Sequence, residues 1–375
     1  MSARLTFRDF ALGLGLILIA AFFAIKDPRF LRPDNLSNLL TDFSIMATLA
    51  VGMLLVILPG HIDLSAGSGL GLAGGIAAVL TTQHGWPAGA AMLAAIATAI
   101  VIWFGMGSLI VRERIPAFIV TLGGLLIFRG LFWHTTGMRT VEISIGGQDN
   151  LYKLLNAYRV PATAGLVLVS LAVTVLVWIR LRADALRRTH GFATDDTELR
   201  FLKLFIAGQL LFLFVLVANL ANGIPLPALI FATVAVAVHI LTRHTPFGRH
   251  LYAIGGNEEA ALISGIPVKR VTITAFMILG AIVGITGLVL TSNTGSSNTK
   301  AGELWELDAI AACVIGGVSL RGGRGNVLGV LFGALIIAVL INGMNLLAVS
   351  TANQYLARGV VLIAAVWMDV RIKRS

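Results

Sequence analysis

Long apolar runs with few or no internal charges follow one another along the whole chain, and they leave it few ways to fold. They lie at approximately residues 10–26, 43–59, 63–82, 88–111, 115–133, 161–179, 202–219, 224–241, 271–291, 308–320, 327–348 and 352–369. A bilayer core about 30 Å thick is crossed by about 20 residues of helix, and backbone polar groups there must be paired within the protein. The runs therefore predict an all-α polytopic membrane protein with about 10 to 12 transmembrane helices. Composition agrees: 57% of residues are hydrophobic and 12% charged, against roughly 45–50% and about 25% in a soluble domain. The run at 308–320 is too short to cross comfortably. It predicts a half-helix or re-entrant segment, tolerated only where protein surrounds it.

Loop charges set the orientation. With the N-terminus inside, one set of alternate segments collects most of the Lys and Arg. It holds Arg4 and Arg8, then Arg112 and Arg114, then Arg180, Arg182, Arg187, Arg188, Arg200 and Lys203. Further along it holds Arg243, Arg249, Lys269 and Arg270, then Arg321 and Arg324, and finally Arg371, Lys373 and Arg374. The opposite loops carry fewer, which by the positive-inside bias puts both termini in the cytoplasm. The chain reads as one transmembrane domain over 1–375, with cytoplasmic polar segments at 180–203, a solvated linker, and at 242–270. A net charge of +10 raises the possibility of a nucleic-acid binder. The basic residues sit singly or in pairs between apolar runs, without a basic stripe, and exclude it.

Several chemistries find no support in the residues present. Cys313 is the only cysteine, so intrachain disulfides and cysteine metal sites are excluded, and its apolar setting predicts a packing role. The seven histidines follow no ligand spacing, and no Gly-Lys dipeptide occurs, so a phosphate-binding loop of the Gly-Lys-Ser/Thr kind is impossible. No metal site, no catalytic residue and no resident cofactor are expected. Acids are scarce in the apolar runs, with Asp308 and Asp369 at run edges. That scarcity argues against an ion-coupled carrier and for energy supplied from outside the chain.

Four stretches stand out. Gly60-His61-Ile62-Asp63-Leu64-Ser65-Ala66-Gly67-Ser68 predicts a turn capped by Asp63 or Ser65, followed by a helix made smooth by Gly67, Gly69, Gly71, Gly74 and Gly75. It is echoed by Gly316-Gly317-Val318-Ser319-Leu320-Arg321-Gly322-Gly323-Arg324, a weak internal repeat. In Ile115-Pro116-Ala117-Phe118-Ile119-Val120-Thr121-Leu122-Gly123, Phe118 and Thr121 share a helix face that either lines a pathway or packs. Arg129, in the same run, should snorkel or find a partner. Asn342 and Asn345 are further pathway candidates, with helix packing as the competing role.

The fourth stretch is Gly255-Gly256-Asn257-Glu258-Glu259-Ala260-Ala261-Leu262-Ile263-Ser264-Gly265. It predicts a short helix stopped by Gly265 and bracketed by basic residues on the cytoplasmic side. Its Glu259-Ala260-Ala261, three residues, then Gly265 resembles the Glu-Ala-Ala-x-x-x-Gly loop with which permeases of ABC importers dock onto their ATPase. Together with Thr245-Pro246-Phe247-Gly248-Arg249, Tyr252 to Asn257 and Asp308 to Gly317, the chain resembles the permeases of bacterial sugar importers of the ribose, arabinose, galactose and xylose type. The polar linker and extra apolar pair at about 180 to 241 resemble the xylose-type branch.

The resemblance implies a homodimer in the inner membrane that moves a monosaccharide, xylose or a related sugar. A periplasmic sugar-binding protein would deliver it, and a separate cytoplasmic ATPase would carry ATP and Mg. It implies that Gly256, Asn257, Glu258, Glu259, Ala260, Ala261, Ser264 and Gly265 couple to that ATPase. His61 departs from the pattern, which more often has a second glycine there. The alternatives are a secondary ion-coupled sugar carrier and a membrane enzyme acting on lipid, for which no catalytic cluster can be assembled.

Overall fold

The computed structural model describes residues 7–144, 146, 149–192 and 196–372. Arg4, Asp195, Lys373 and Arg374, and the side chains of Arg8, Asp369 and Arg371, lie outside the described residues. In chain order the helices are α1 (Phe7–Lys26), α2 (Pro33–Ile57), α3 (Ala66–Thr82), α4 (Ala88–Glu113), α5 (Ala117–Thr136), α6 (Leu151–Ala157), α7 (Ala162–Thr189) and α8 (Thr197–Leu220). They continue with α9 (Leu226–His244), α10 (Pro246–Gly256), α11 (Glu258–Ile263), α12 (Val268–Thr294), α13 (Trp305–Ile315), α14 (Val327–Leu346) and α15 (Thr351–Ile372). Among the described residues eight of these, α2, α4, α5, α7, α8, α9, α12 and α14, are long and apolar enough to cross a membrane. The fold is all-α and polytopic, as the apolar runs predict.

Proline and asparagine mark where helices begin. Pro87, Pro116, Pro161, Pro225 and Pro267 stand directly before α4, α5, α7, α9 and α12. A fixed φ and a missing N–H cost nothing at such a position. Asn326 starts α14 by accepting the Gly329 N–H at 2.8 Å. The expected solvated linker at 180–203 is largely helix, because α7 continues to Thr189 and α8 begins at Thr197. Buried Asp184 holds the two together, 3.8 Å from Arg180 and 3.4 Å from Arg200.

At the centre, α2, α12 and α14 run side by side. One end of this trio is fixed by Asn35 of α2 against Asn342 of α14, and by Asn293 of α12 against Asp42 of α2. The other end is fixed where the Gly323 N–H donates to the Leu58 carbonyl at 2.8 Å, beside α10 and α11. We call these the far end and the α11 end. From Ile45 to Leu58 nearly every α2 side chain is sealed from the surface. The α7–α8 hairpin lies at the periphery, with most of its surface exposed for lipid.

Two apolar runs are not continuous spans. Instead of crossing as one helix over 63–82, the chain leaves α2 at Leu58, stays non-helical to Ser65 and starts α3 alongside the middle of α12. There Gly69 faces Val283, and Gly74 faces the Gly287 carbonyl. Residues 295–304 run inward from the far end in the same irregular way, until Ala301 and Gly302 lie against Gly71 and Gly67. Helix α13 starts there and runs toward the α11 end. Its 11 residues span about 16 Å at 1.5 Å per residue, so the run at 308–320 is a buried half-helix rather than a full span.

Acids are more numerous inside than the apolar runs suggest. Asp63, Glu306 and Asp308 are all buried, because the irregular segments carry residues from the edges of apolar runs into the bundle. The cap expected of Asp63 or Ser65 falls to Asp63. Its carboxylate accepts the Ser65 N–H at 2.7 Å, the Ser65 hydroxyl at 2.6 Å and the Trp103 indole N–H at 2.6 Å. Asp308 pairs with Arg358 of α15 at 3.0 Å. Arg129 lies over the Trp133 ring, 5.9 Å from its centroid. Glu306 and Asp308 occupy the first turn of α13, where the helix dipole favours negative charge.

Asp63→Ala strands the indole N–H and a backbone N–H in a fully buried site. It should lower stability by about 2 to 5 kcal/mol, read as a drop in the melting temperature of the detergent-solubilised protein. Trp103→Phe, which removes only one donor, should cost less.

Candidate functional site

The α11 end carries a small helical projection. Thr245 accepts the Gly248 N–H to start α10, and Asn257 ends α10 and starts α11 by accepting the Ala260 N–H at 2.9 Å. Gly265 closes α11 at φ +80, where glycine carries no steric cost. Its N–H donates to the Leu262 carbonyl, and the Ile266 N–H donates to Ala261. The Ser264 hydroxyl donates back to the Ala260 carbonyl at 2.8 Å. Asn257, Ser264 and Gly265 thus shape the helix, while Glu258, Glu259 and Ala260 face outward. Ala261 alone within α11 is buried. Leu262 and Ile263 are 63% and 88% exposed. Neither is among the expected coupling residues, although an apolar pair in a polar loop is itself a signal of a surface meant to be covered.

Beneath the projection three stretches of backbone touch. A methyl group on Gly255 would overlap the Leu58 carbonyl oxygen and the Gly323 nitrogen. Gly322 and Gly323 have φ +84 and +74, and the Tyr252 hydroxyl donates to the Gly325 carbonyl at 2.8 Å. The two halves of the internal echo therefore meet here, with Gly60 facing the Arg321 carbonyl. His61 fits without strain, since Gly60 takes the left-handed conformation at φ +93 and the His61 N–H donates to Val56 at 2.9 Å. A groove of about 550 Å³ separates α11 from the α4–α5 turn, with His61, Glu258, Glu259 and Lys269 on its walls.

The far end holds a polar pocket of about 390 Å³. One face of the first turns of α2 supplies Asn35, Asn38 and Asp42, at i, i+3 and i+7, with Thr41 beside them. Asn342, Asn345 and Leu346 of α14, Asn293 of α12, and Asn156 and Arg159 around the end of α6 complete the lining. Asn35 and Asn342 exchange amide hydrogen bonds at 3.0 and 3.1 Å, Gln354 donates to Asn345 at 3.0 Å, and Arg159 donates to Ser37 at 2.7 Å. The four pathway candidates are not brought together. Thr121 is fully buried and donates to the Ile62 carbonyl at 3.1 Å, tying α5 to the irregular segment before α3. Phe118 is 52% exposed.

The family model described as branched-chain amino acid transport system / permease component matches residues 35–186 and 187–366. The chain belongs to this permease family. It is 39% identical over 373 residues to the xylose transport system permease protein XylH of Haemophilus influenzae, covering 96% of both chains. It is 36% identical to XylH of Escherichia coli K12, covering 99% of this chain and 93% of that one. It is also 36% identical to the ribose import permease protein RbsC of Bacillus subtilis, covering 95% and 91%. No solved structure gives a significant match.

In this permease the projection and the pocket sit at opposite ends of α2, whose 25 residues extend about 37 Å at 1.5 Å per residue. Among the described residues no three His, Cys, Asp or Glu are gathered to hold a metal. What the geometry does offer is a surface at one end, a polar cavity at the other, and backbone contact in between.

Gly255→Ala must push the Leu58 and Gly323 backbones apart, whereas a methyl on Gly256 meets nothing. Gly255→Ala should destabilise the permease by about 1 to 3 kcal/mol, and Gly256→Ala by far less, when their melting temperatures in detergent are compared.

Proposed function

We propose that this permease is the membrane-spanning subunit of an ATP-driven importer for xylose or a related monosaccharide. It works as a homodimer in the bacterial inner membrane, with both termini and α11 in the cytoplasm. A periplasmic binding protein delivers the sugar, and a separate ATPase binds ATP and Mg. Near-full-length likeness to xylose and ribose permeases supports the substrate class. One structural observation carries the coupling: α11 is a capped helix with an exposed acidic and apolar face, seated on backbone that touches the segments leading into α3 and α14.

In this mechanism, closure of the ATPase displaces α11. The close contact of Gly255 with Leu58 and Gly323 leaves no slack, so the displacement passes to the segments at 58–65 and 316–325. Packed interfaces of this kind shift between discrete arrangements rather than deforming continuously. Helix α14 begins at one of these segments and ends at Asn342 and Asn345 in the far pocket. A secondary carrier would need an intramembrane carboxylate available to a coupling ion. Asp63 and Asp308 are already engaged, by three donors and by Arg358, which leaves Glu306 as a buried carboxylate without such duties, and the likeness to xylose and ribose permeases is what disfavours a carrier.

Ile263→Asp tests the docking reading, because an 88% exposed side chain can change without disturbing the fold. Reconstituted with its ATPase and binding protein, the variant should lose xylose uptake by at least about tenfold at an unchanged melting temperature. Uptake equal to that of the unaltered permease would remove the coupling role of α11.

A further inference from the structure

We infer that the far-end pocket is a monosaccharide-binding waypoint built within a single subunit, where the sugar is held by side-chain amides before it passes along α2 and α14. This deepens the importer reading and rests on it for the sugar's arrival, while the binding chemistry stands on the pocket itself. At about 390 Å³ the cavity lies within the range of small-molecule sites, roughly 300 to 1,000 Å³. Its lining includes six asparagines, each offering a carbonyl acceptor and an NH2 donor. Sugar hydroxyls both donate and accept, so a wall of amides suits a polyol better than an apolar molecule. Asp42 and Arg159 face the same space with opposite charges, which leaves the pocket unsuited to a strongly charged ligand.

One polar atom in this wall is left without a partner. The side-chain oxygen of Asn156 is buried and has no hydrogen-bond partner within the chain. Leaving a buried acceptor unmet costs about 1 to 3 kcal/mol, and a turn of the Asn156 side chain toward the pocket would let a sugar hydroxyl meet it. The lining contains no aromatic ring on which a sugar could stack. Binding should therefore be weak, in the millimolar range of about 4 kcal/mol, as suits a site that must release its ligand onward.

Two measurements on Asn156→Leu separate a waypoint from a structural amide cluster. Removing an unpaired oxygen should leave the melting temperature unchanged or higher. Saturation-transfer NMR with xylose should show contact with the full-length permease in detergent, reduced by about fivefold or more in the variant, the loss of one neutral hydrogen bond. Asn38→Leu, at an exposed position of the same wall, should reduce it similarly and covers the case in which Asn156→Leu fails to fold. No transfer to the unaltered permease, or equal transfer to both variants, overturns the waypoint. Xylose and ribose uptake by the unaltered reconstituted importer is measured alongside. Absence of uptake would sink the importer reading, while the NMR comparison still decides whether the pocket binds sugar.

Discussion

Inside a bilayer every backbone N–H and C=O must find a partner within the protein, and the structure is arranged around two places where the chain meets that demand without a helix. Residues 58–65 and 295–304 run irregularly into the bundle. Such backbone is tolerable only when other protein closes over it. The Leu58 carbonyl is met by Gly323, the Ile62 carbonyl by the Thr121 hydroxyl, and the Ser65 N–H by Asp63. At Gly67, in the first turn of α3, and Gly302, in the second irregular segment, the chain comes so close to itself that a side chain on either would strike backbone. The glycine stripe on α3 is thus a requirement of satisfying polar groups at depth as much as of helix packing.

The same constraint explains why a short surface helix can act on the interior in the proposed mechanism. A projection attached to the end of a continuous helix would pass its motion to that helix alone. Here α10 rests on the Leu58 turn and on the 322–325 turn at once, so a single displacement reaches two segments. Each segment leads into a helix that runs toward the far end. The irregular stretches, lacking the stiffness of i to i−4 hydrogen bonding, are where such a displacement is most readily absorbed.

Much of this was legible in the sequence, because hydrophobic length and capping chemistry act locally. The apolar runs gave the fold class, the shortness of 308–320 gave the half-helix, and Gly265 gave the end of α11 with its left-handed conformation. The far pocket was only partly legible. Asn342 and Asn345 were visible as polar residues inside an apolar run, but Asn35, Asn38 and Asp42 were not. Hydropathy starts the second run at residue 43, and it took the structure to show that α2 begins ten residues earlier, with one polar face. Depth was also out of reach, since nothing in the composition around Asp63 says that the chain climbs to mid-bundle before α3 begins.

That last point changes the ground on which the energy source is argued. Scarcity of acids in the apolar runs favours an external motor, yet Asp63, Glu306 and Asp308 are buried, so scarcity cannot carry the conclusion. Engagement can do so for the two aspartates. An ion-coupled carboxylate must exchange its partner during each cycle, and its hydrogen bonds must be few enough to break. Asp63 accepts three donors, two from Ser65 next to the start of α3 and one from Trp103 of α4, and giving them up would unfasten the turn on which α3 begins. Asp308 holds α15 to α13 through Arg358. Aspartates with these duties are fixed points about which a permease can move, and in the proposed mechanism the push comes from a partner at the α11 end.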